Sequence, residues 1–209
     1  MITSLPNLLT LSRIGVIPAI VALFRVDGEL TRWVMLGLYT FACLTDFFDG
    51  YAARSMGTIS NFGKFLDPVA DKLLVAAVIL MLVAFDRVTG LSILAGLVIL
   101  CREMLVSGLR EFLADIKVGV PVSKLAKWKT VIQMLTLGFL IIGDASPAMI
   151  PATLIGEIGL WIAAALTIVT GYDYLKTGLK HLTANDPKPA PAEEPADKPV
   201  PHAKKSGAG

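Results

Sequence analysis

Long apolar blocks separated by short polar stretches run along the chain, and six of them approach membrane-spanning length: residues 8–24, 33–54, 65–85, 91–112, 128–142 and 150–175. A bilayer core about 30 Å thick needs roughly 20 mostly apolar helical residues per crossing. The pattern predicts an all-α integral membrane protein with six transmembrane helices, and an even number of crossings places both termini on one side. Near Asn185 the pattern stops, and Pro187, Pro189, Pro191, Pro195, Pro199 and Pro201 follow among Ala, Glu and Lys. The chain therefore divides into a six-helix membrane domain, 1–184, and a Pro/Ala/Lys-rich tail, 185–209. The tail has too little apolar surface to fold and is expected to be a disordered, solvated extension.

Composition agrees with the blocks: 55% of the residues are hydrophobic and 17% charged, and the mean hydropathy is +0.68. Basic residues give the orientation, because Lys and Arg near span ends stay in the cytoplasm. With both termini cytoplasmic, Arg54, Lys64, Lys117, Lys124, Lys127, Lys129, Lys176 and Lys180 lie inside and Arg25, Arg32 and Arg87 outside. A net charge of +2 gives no ground for a nucleic-acid partner, and no nucleic-acid motif is present; membrane lipids are the expected surroundings. Cys43 and Cys101 each fall in an apolar block and read as small packing residues. The first block lacks a small-residue cleavage site and is expected to remain as a membrane helix.

Four carboxylates interrupt this plan, in the stretch TDFFDGYAARSMGTISNFGKFLDPVADK from Thr45 to Lys72. Asp46 and Asp49 follow roughly 13 apolar residues, about 20 Å of helix, and Asp67 and Asp71 precede a similar run, so both pairs fall at similar depth near the cytoplasmic face. Spacings of three and four put the members of each pair on one helix face. Two consecutive antiparallel helices are expected to pack together and gather all four acids, with Pro68 starting or kinking the second helix. Aspartates within a span cost about 2.5–3.5 kcal/mol each, roughly 10 kcal/mol for four, before their mutual repulsion is counted. Arg54, Lys64 and Lys72 offset part of that cost. Two hard divalent cations with oxygen ligands, Mg2+ or Mn2+, would balance all four charges.

Small residues accompany the acids. Gly50 lies four residues after Asp46 and Ala53 four after Asp49, which lets a bulky ligand approach the backbone; Gly63, four before Asp67, either does the same or breaks the loop. Arg54 either meets phosphate or anchors the helix end among headgroups.

Asp46, Asp49, Gly50, Ala53, Arg54, Gly63, Asp67 and Asp71 together fill every fixed position of the pattern Asp-x2-Asp-Gly-x2-Ala-Arg-x8-Gly-x3-Asp-x3-Asp, and the chain thereby resembles the CDP-alcohol phosphotransferase family. The segments LPNLLTLSRI, FLDPVADK, CREMLVSGLREF and KLAKWKTVIQM are similar to the branch of that family that makes phosphatidylglycerophosphate. The resemblance implies six transmembrane helices around a cytoplasm-facing polar cavity, a homodimer and a bacterial cytoplasmic (inner) membrane location. It implies that CDP-diacylglycerol and glycerol 3-phosphate react to give phosphatidylglycerophosphate and CMP. It assigns Asp46, Asp49 and Asp67 to a two-metal centre, Asp71 to a further ligand or the catalytic base, and Gly50, Ala53, Arg54 and Gly63 to the cytidine diphosphate.

The same resemblance assigns Arg102, Arg110, Lys127 and Lys129 to the acceptor phosphate. Read from the residues alone, Arg110, Lys127 and Lys129 serve equally as positive-inside anchors. Arg102 lies within an apolar run and requires a partner: an aspartate of the cluster, Glu103 of a neighbouring copy, or substrate. Asn7, Thr10 and Arg13 recur at three-residue steps on the first helix and border the cavity, unless Asn7 only caps the helix. Rival functions are a family member with another acceptor such as inositol phosphate, an intramembrane prenyltransferase, or an ion transporter. A prenyltransferase would carry two separate aspartate-rich motifs, and a transporter would spread its acids through the bilayer rather than gather them near one face.

Overall fold

A computed structural model describes residues 5–26, 28–56, 61–116 and 124–185, with the side chains at 5–8, 46–56, 61–65, 67, 124 and 180–185 outside that description. The described residues form no strand. They form helices α1 (Leu5–Leu23), α2 (Glu29–Met56), α3 (Asn61–Ala84), α4 (Ser92–Asp115), α5 (Lys124–Ile142) and α6 (Ala152–Asn185), with a 3-10 turn at Gly143–Ala145 between the last two. The predicted tail lies outside the described residues.

Each helix contains one apolar block and generally runs past it. The 34 residues of α6 amount to about 51 Å of helix, well beyond a bilayer core. Apolarity measures the part of a helix that lipid accepts, whereas backbone hydrogen bonding continues into the interface. Among the described residues, Ser92–Asp115, Leu125–Ala145 and Ala152–Leu179 are long and apolar enough to cross a membrane, and Leu9–Leu23 is a shorter apolar helix. The outer surface agrees, with Leu80, Leu94, Leu97, Leu105, Phe112, Leu154, Trp161, Ile168 and Val169 all exposed. An apolar exterior of this extent suits lipid rather than water, and the protein is a membrane protein.

The core joins all six helices through Ile20, Met35, Leu74, Val78, Ile99, Leu137, Ile141 and Leu160. Lipid tails are as apolar as leucine, so such helices associate through close packing, which small residues permit. The α5–α6 contact shows this: a Cβ on Gly156 would stand 2.7 Å from Leu140 Cγ, and one on Gly159 2.3 Å from Thr136 Oγ1. Helix α4 packs on the other part of α6, and α1 packs against both α2 and α3. Among the described residues α1 and α5 each touch both α2 and α3; the side chains at the ends of α2 and α3 next to their short connection, where direct pairing is expected, lie outside the described set. Pro68 lies inside α3, which opens at Asn61, so proline does not start that helix.

At the end of the bundle holding the α1–α2 and α3–α4 turns, two arginines hold the C-terminus of α5. Arg87 Nη1 donates to Ile141 O at 2.9 Å and Arg32 Nη1 to Ile142 O at 3.5 Å. The Arg87 guanidinium also lies 4.8 Å from the centre of the Phe24 ring. Both arginines satisfy carbonyls that the ending helix leaves open.

Candidate active site

A cavity of about 500 Å3 opens at the other end, between the N-terminal part of α3, the C-terminal half of α4, the N-terminal half of α5 and the middle of α2. Its wall contains Asp71 and Lys72 from α3, Arg102, Glu103, Arg110 and Glu111 from α4, and Lys129 and Gln133 from α5. Charged groups are otherwise costly within apolar helices. Here helix periodicity turns them inward: Glu103, Ser107, Arg110 and Ala114 advance by steps of three or four along α4 and line one cavity.

Asp71 is held from α1. Arg13, fully buried, places Nη1 2.9 Å from Asp71 Oδ1, and the Asp71 side chain keeps 42% exposure. One carboxylate thus spans a dry guanidinium and the open cavity. Lys72 turns back along its own helix, donating from Nζ to Pro68 O at 2.8 Å.

The basic wall is built across α4, α5 and α6. Arg102 Nη2 donates to Thr170 Oγ1 at 3.0 Å, and Thr170 Oγ1 in turn donates to Leu166 O at 2.8 Å. The arginine stem rests on α6, where a Cβ on Gly171 would stand 3.0 Å from Arg102 Cγ. Glu103 Oε1 lies 3.5 Å from Arg102 Nη1 and also pairs with Lys129, whose side chain is only 4% exposed. Arg102 Nε and Gln133 Oε1 are buried without a hydrogen-bond partner among the described residues.

Of the residues singled out in the sequence, Asp71, Arg102, Arg110 and Lys129 therefore share one cavity. Lys127 is exposed and Thr10 and Arg13 are buried; none of the three lines that cavity, which Arg13 meets only through Asp71. The side chains of Asn7, Asp46, Asp49, Gly50, Ala53, Arg54, Gly63 and Asp67 lie outside the described set. Their backbone positions are helical: position 46 is one turn beyond Ala42 and Cys43, which line the cavity, and position 67 is one turn before Asp71. Among the described residues no three His, Cys, Asp or Glu side chains come together as a metal site. Glu103 is the residue that sequence reasoning undervalued, naming it only as one of three alternative partners for Arg102, and then from a neighbouring copy. It pairs within its own chain, and the available signal was an Arg-Glu pair inside an apolar run.

Residues 3–169 match the CDP-alcohol phosphatidyltransferase family. The chain belongs to this family. It is 53% identical, over 83% of its length and 96% of the relative's, to a Rickettsia typhi protein named CDP-diacylglycerol--glycerol-3-phosphate 3-phosphatidyltransferase. A Bacillus subtilis protein of the same name is 33% identical over 88% of this chain and 99% of that one. Among solved structures, the fold is similar to the phosphatidylinositol phosphate synthase of Mycobacterium tuberculosis. In its apo form that structure gives a TM-score of 0.63 at 21% identity, covering 90% of this chain and 95% of that one. The same synthase with CDP-DAG bound gives 0.61, and its complex with manganese and citrate gives 0.59.

Proposed function

We propose that this protein transfers the phosphatidyl group from CDP-diacylglycerol to glycerol 3-phosphate, yielding phosphatidylglycerophosphate and CMP. The carrying observation is that one cavity is lined by Asp71 and by the cations Arg102, Arg110 and Lys129, the groups needed by an acceptor that is an alcohol at one end and a phosphate at the other. Relatives more than 50% identical bear the corresponding name, which supports the same reading.

The acceptor hydroxyl attacks the phosphorus that carries the diacylglycerol. An oxygen–phosphorus bond forms there, the bond from that phosphorus to the bridging oxygen breaks, and CMP departs with the bond electrons. Asp71 takes the hydroxyl proton, or contributes a metal-ligand oxygen. Arg102, Arg110 and Lys129 neutralise the acceptor phosphate and fix the distance from that phosphate to the reacting hydroxyl. Gly50, Ala53, Arg54 and Gly63 would receive the cytidine diphosphate. Asp46, Asp49, Asp67 and Asp71 would hold two divalent ions, Mg2+ or Mn2+. An all-carboxylate set suits hard cations, and the partial exposure of Asp71 leaves its carboxylate reachable from the cavity. When bound, the ions supply the positive charge that displacement at a diphosphate requires.

The same reading takes residues 1–184 as the catalytic membrane unit and 185–209 as an appended tail. The protein is a homodimer in the bacterial inner membrane, with both termini and the cavity mouth cytoplasmic; family resemblance supports the dimer, and the distribution of Lys and Arg supports the orientation. The deciding experiment supplies purified protein in detergent with Mg2+, CDP-diacylglycerol and one acceptor at a time. CMP release with glycerol 3-phosphate is expected. Release with inositol phosphate or serine but none with glycerol 3-phosphate would overturn the acceptor while leaving the family.

A further inference from the structure

Glu103 lies where three helices meet. From α4 it accepts an ion pair from Lys129 on α5, and it stands 3.5 Å from Arg102, which is itself tied to Thr170 of α6. The three side chains are 4%, 13% and 20% exposed for Lys129, Arg102 and Glu103, so water does little to screen or support them. Two cations in such surroundings repel each other unless an anion stands between them.

We propose that Glu103 is a positioning residue of the acceptor pocket, holding Lys129 and Arg102 as a preset pair for a phosphomonoester dianion. The inference rests on the acceptor reading above.

Three observations carry it. The first is donor capacity: an ammonium has three N–H donors and a guanidinium five. Glu103 and Thr170 engage only part of that set, so a phosphate can bind the same two cations without displacing the carboxylate. The second is order. Lys and Arg each lose up to about 2 kcal/mol of rotamer freedom when fixed; with Glu103 in place that loss is met during folding rather than at each binding event. The third is charge. Lys129, Arg102 and Arg110 against Glu103 sum to +2, Asp71 and Lys72 of the same wall cancel each other, and a phosphomonoester carries about −1.5 to −2 at pH 7. The pocket is thereby matched to a phosphorylated acceptor and poorly matched to a neutral or zwitterionic alcohol such as serine. Glu111 also lines the cavity, but it is exposed and bonded to Ser107 at 3.3 Å, so it weighs less in that sum.

The test compares wild type, Glu103→Gln, Glu103→Asp, Lys129→Met and Glu103→Gln/Lys129→Met as full-length proteins in detergent, each checked for thermal stability. Initial rates are measured while CDP-diacylglycerol and glycerol 3-phosphate are varied separately. Glu103→Gln is expected to raise the KM for glycerol 3-phosphate at least tenfold, with kcat and the KM for the lipid donor changed less than threefold. Glu103→Asp should recover part of that loss. In the Lys129→Met background, the further effect of Glu103→Gln should shrink to the part that acts through Arg102, well below its effect in the wild type. An unchanged or lowered acceptor KM in Glu103→Gln, or equal losses toward both substrates, would overturn the inference while the acceptor reading stands. A wild type that turns over CDP-diacylglycerol only with an unphosphorylated alcohol would overturn both.

Discussion

Replacing Asp71 with Asn removes the carboxylate of an ion pair whose other member is fully buried. Breaking a buried pair costs about 3–5 kcal/mol, and exposed pairs contribute about 0–1 kcal/mol. Because Asp71 retains 42% exposure while Arg13 has none, the pair lies between these limits, and we expect a loss of roughly 2 kcal/mol. On the scale of soluble domains of 150–250 residues that is about 4–8 °C in Tm. The reverse substitution, Arg13→Met, leaves the Asp71 carboxylate partly solvated and fills the buried volume with an apolar chain, which offsets part of the lost pairing. The losses of the double variant should fail to add, since the Arg13–Asp71 contact is already absent in either single variant. Thermal unfolding in detergent measures the stabilities, and CMP release measures turnover alongside. Asp71→Asn should be inactive at every temperature, whereas Arg13→Met, which keeps the carboxylate, should retain measurable turnover. A Tm for Asp71→Asn equal to wild type would refute this account of the pair. Activity in the double variant would refute a chemical role for Asp71.

Three further outcomes are expected. Lys129→Met should raise the KM for glycerol 3-phosphate at least tenfold and Lys127→Met less than threefold, because Lys129 is buried in the cavity wall and Lys127 is exposed; steady-state kinetics in detergent distinguishes them. Gly159→Leu should lower Tm sharply, since even a Cβ there would stand 2.3 Å from Thr136 Oγ1, and a purified variant with wild-type Tm would contradict the tight α5–α6 packing. Chelation of divalent ions should abolish CMP release, and Mg2+ or Mn2+ should restore it; activity that persists through exhaustive chelation would exclude the two-ion centre.

Apolar block length was sufficient to read the number, order and approximate limits of the helices, because lipid solvation acts on local composition. The spaced carboxylates were likewise legible as a family pattern: three- and four-residue steps define a helix face without knowledge of any neighbour. Which helix lies beside which was not legible. Nothing along the chain indicated that α1 packs on both α2 and α3 and brings Arg13 to Asp71. Partner choice for charges was equally hidden. Lys127 and Lys129 look alike along the chain, yet one faces outward and the other meets Glu103, because rotation and depth of α5 are set by contacts such as Gly156 and Gly159 against Leu140 and Thr136. Periodicity along one helix is a local property, but the sharing of a carboxylate by cations from two helices depends on how close and at what angle those helices pack, and only the assembled bundle specifies that.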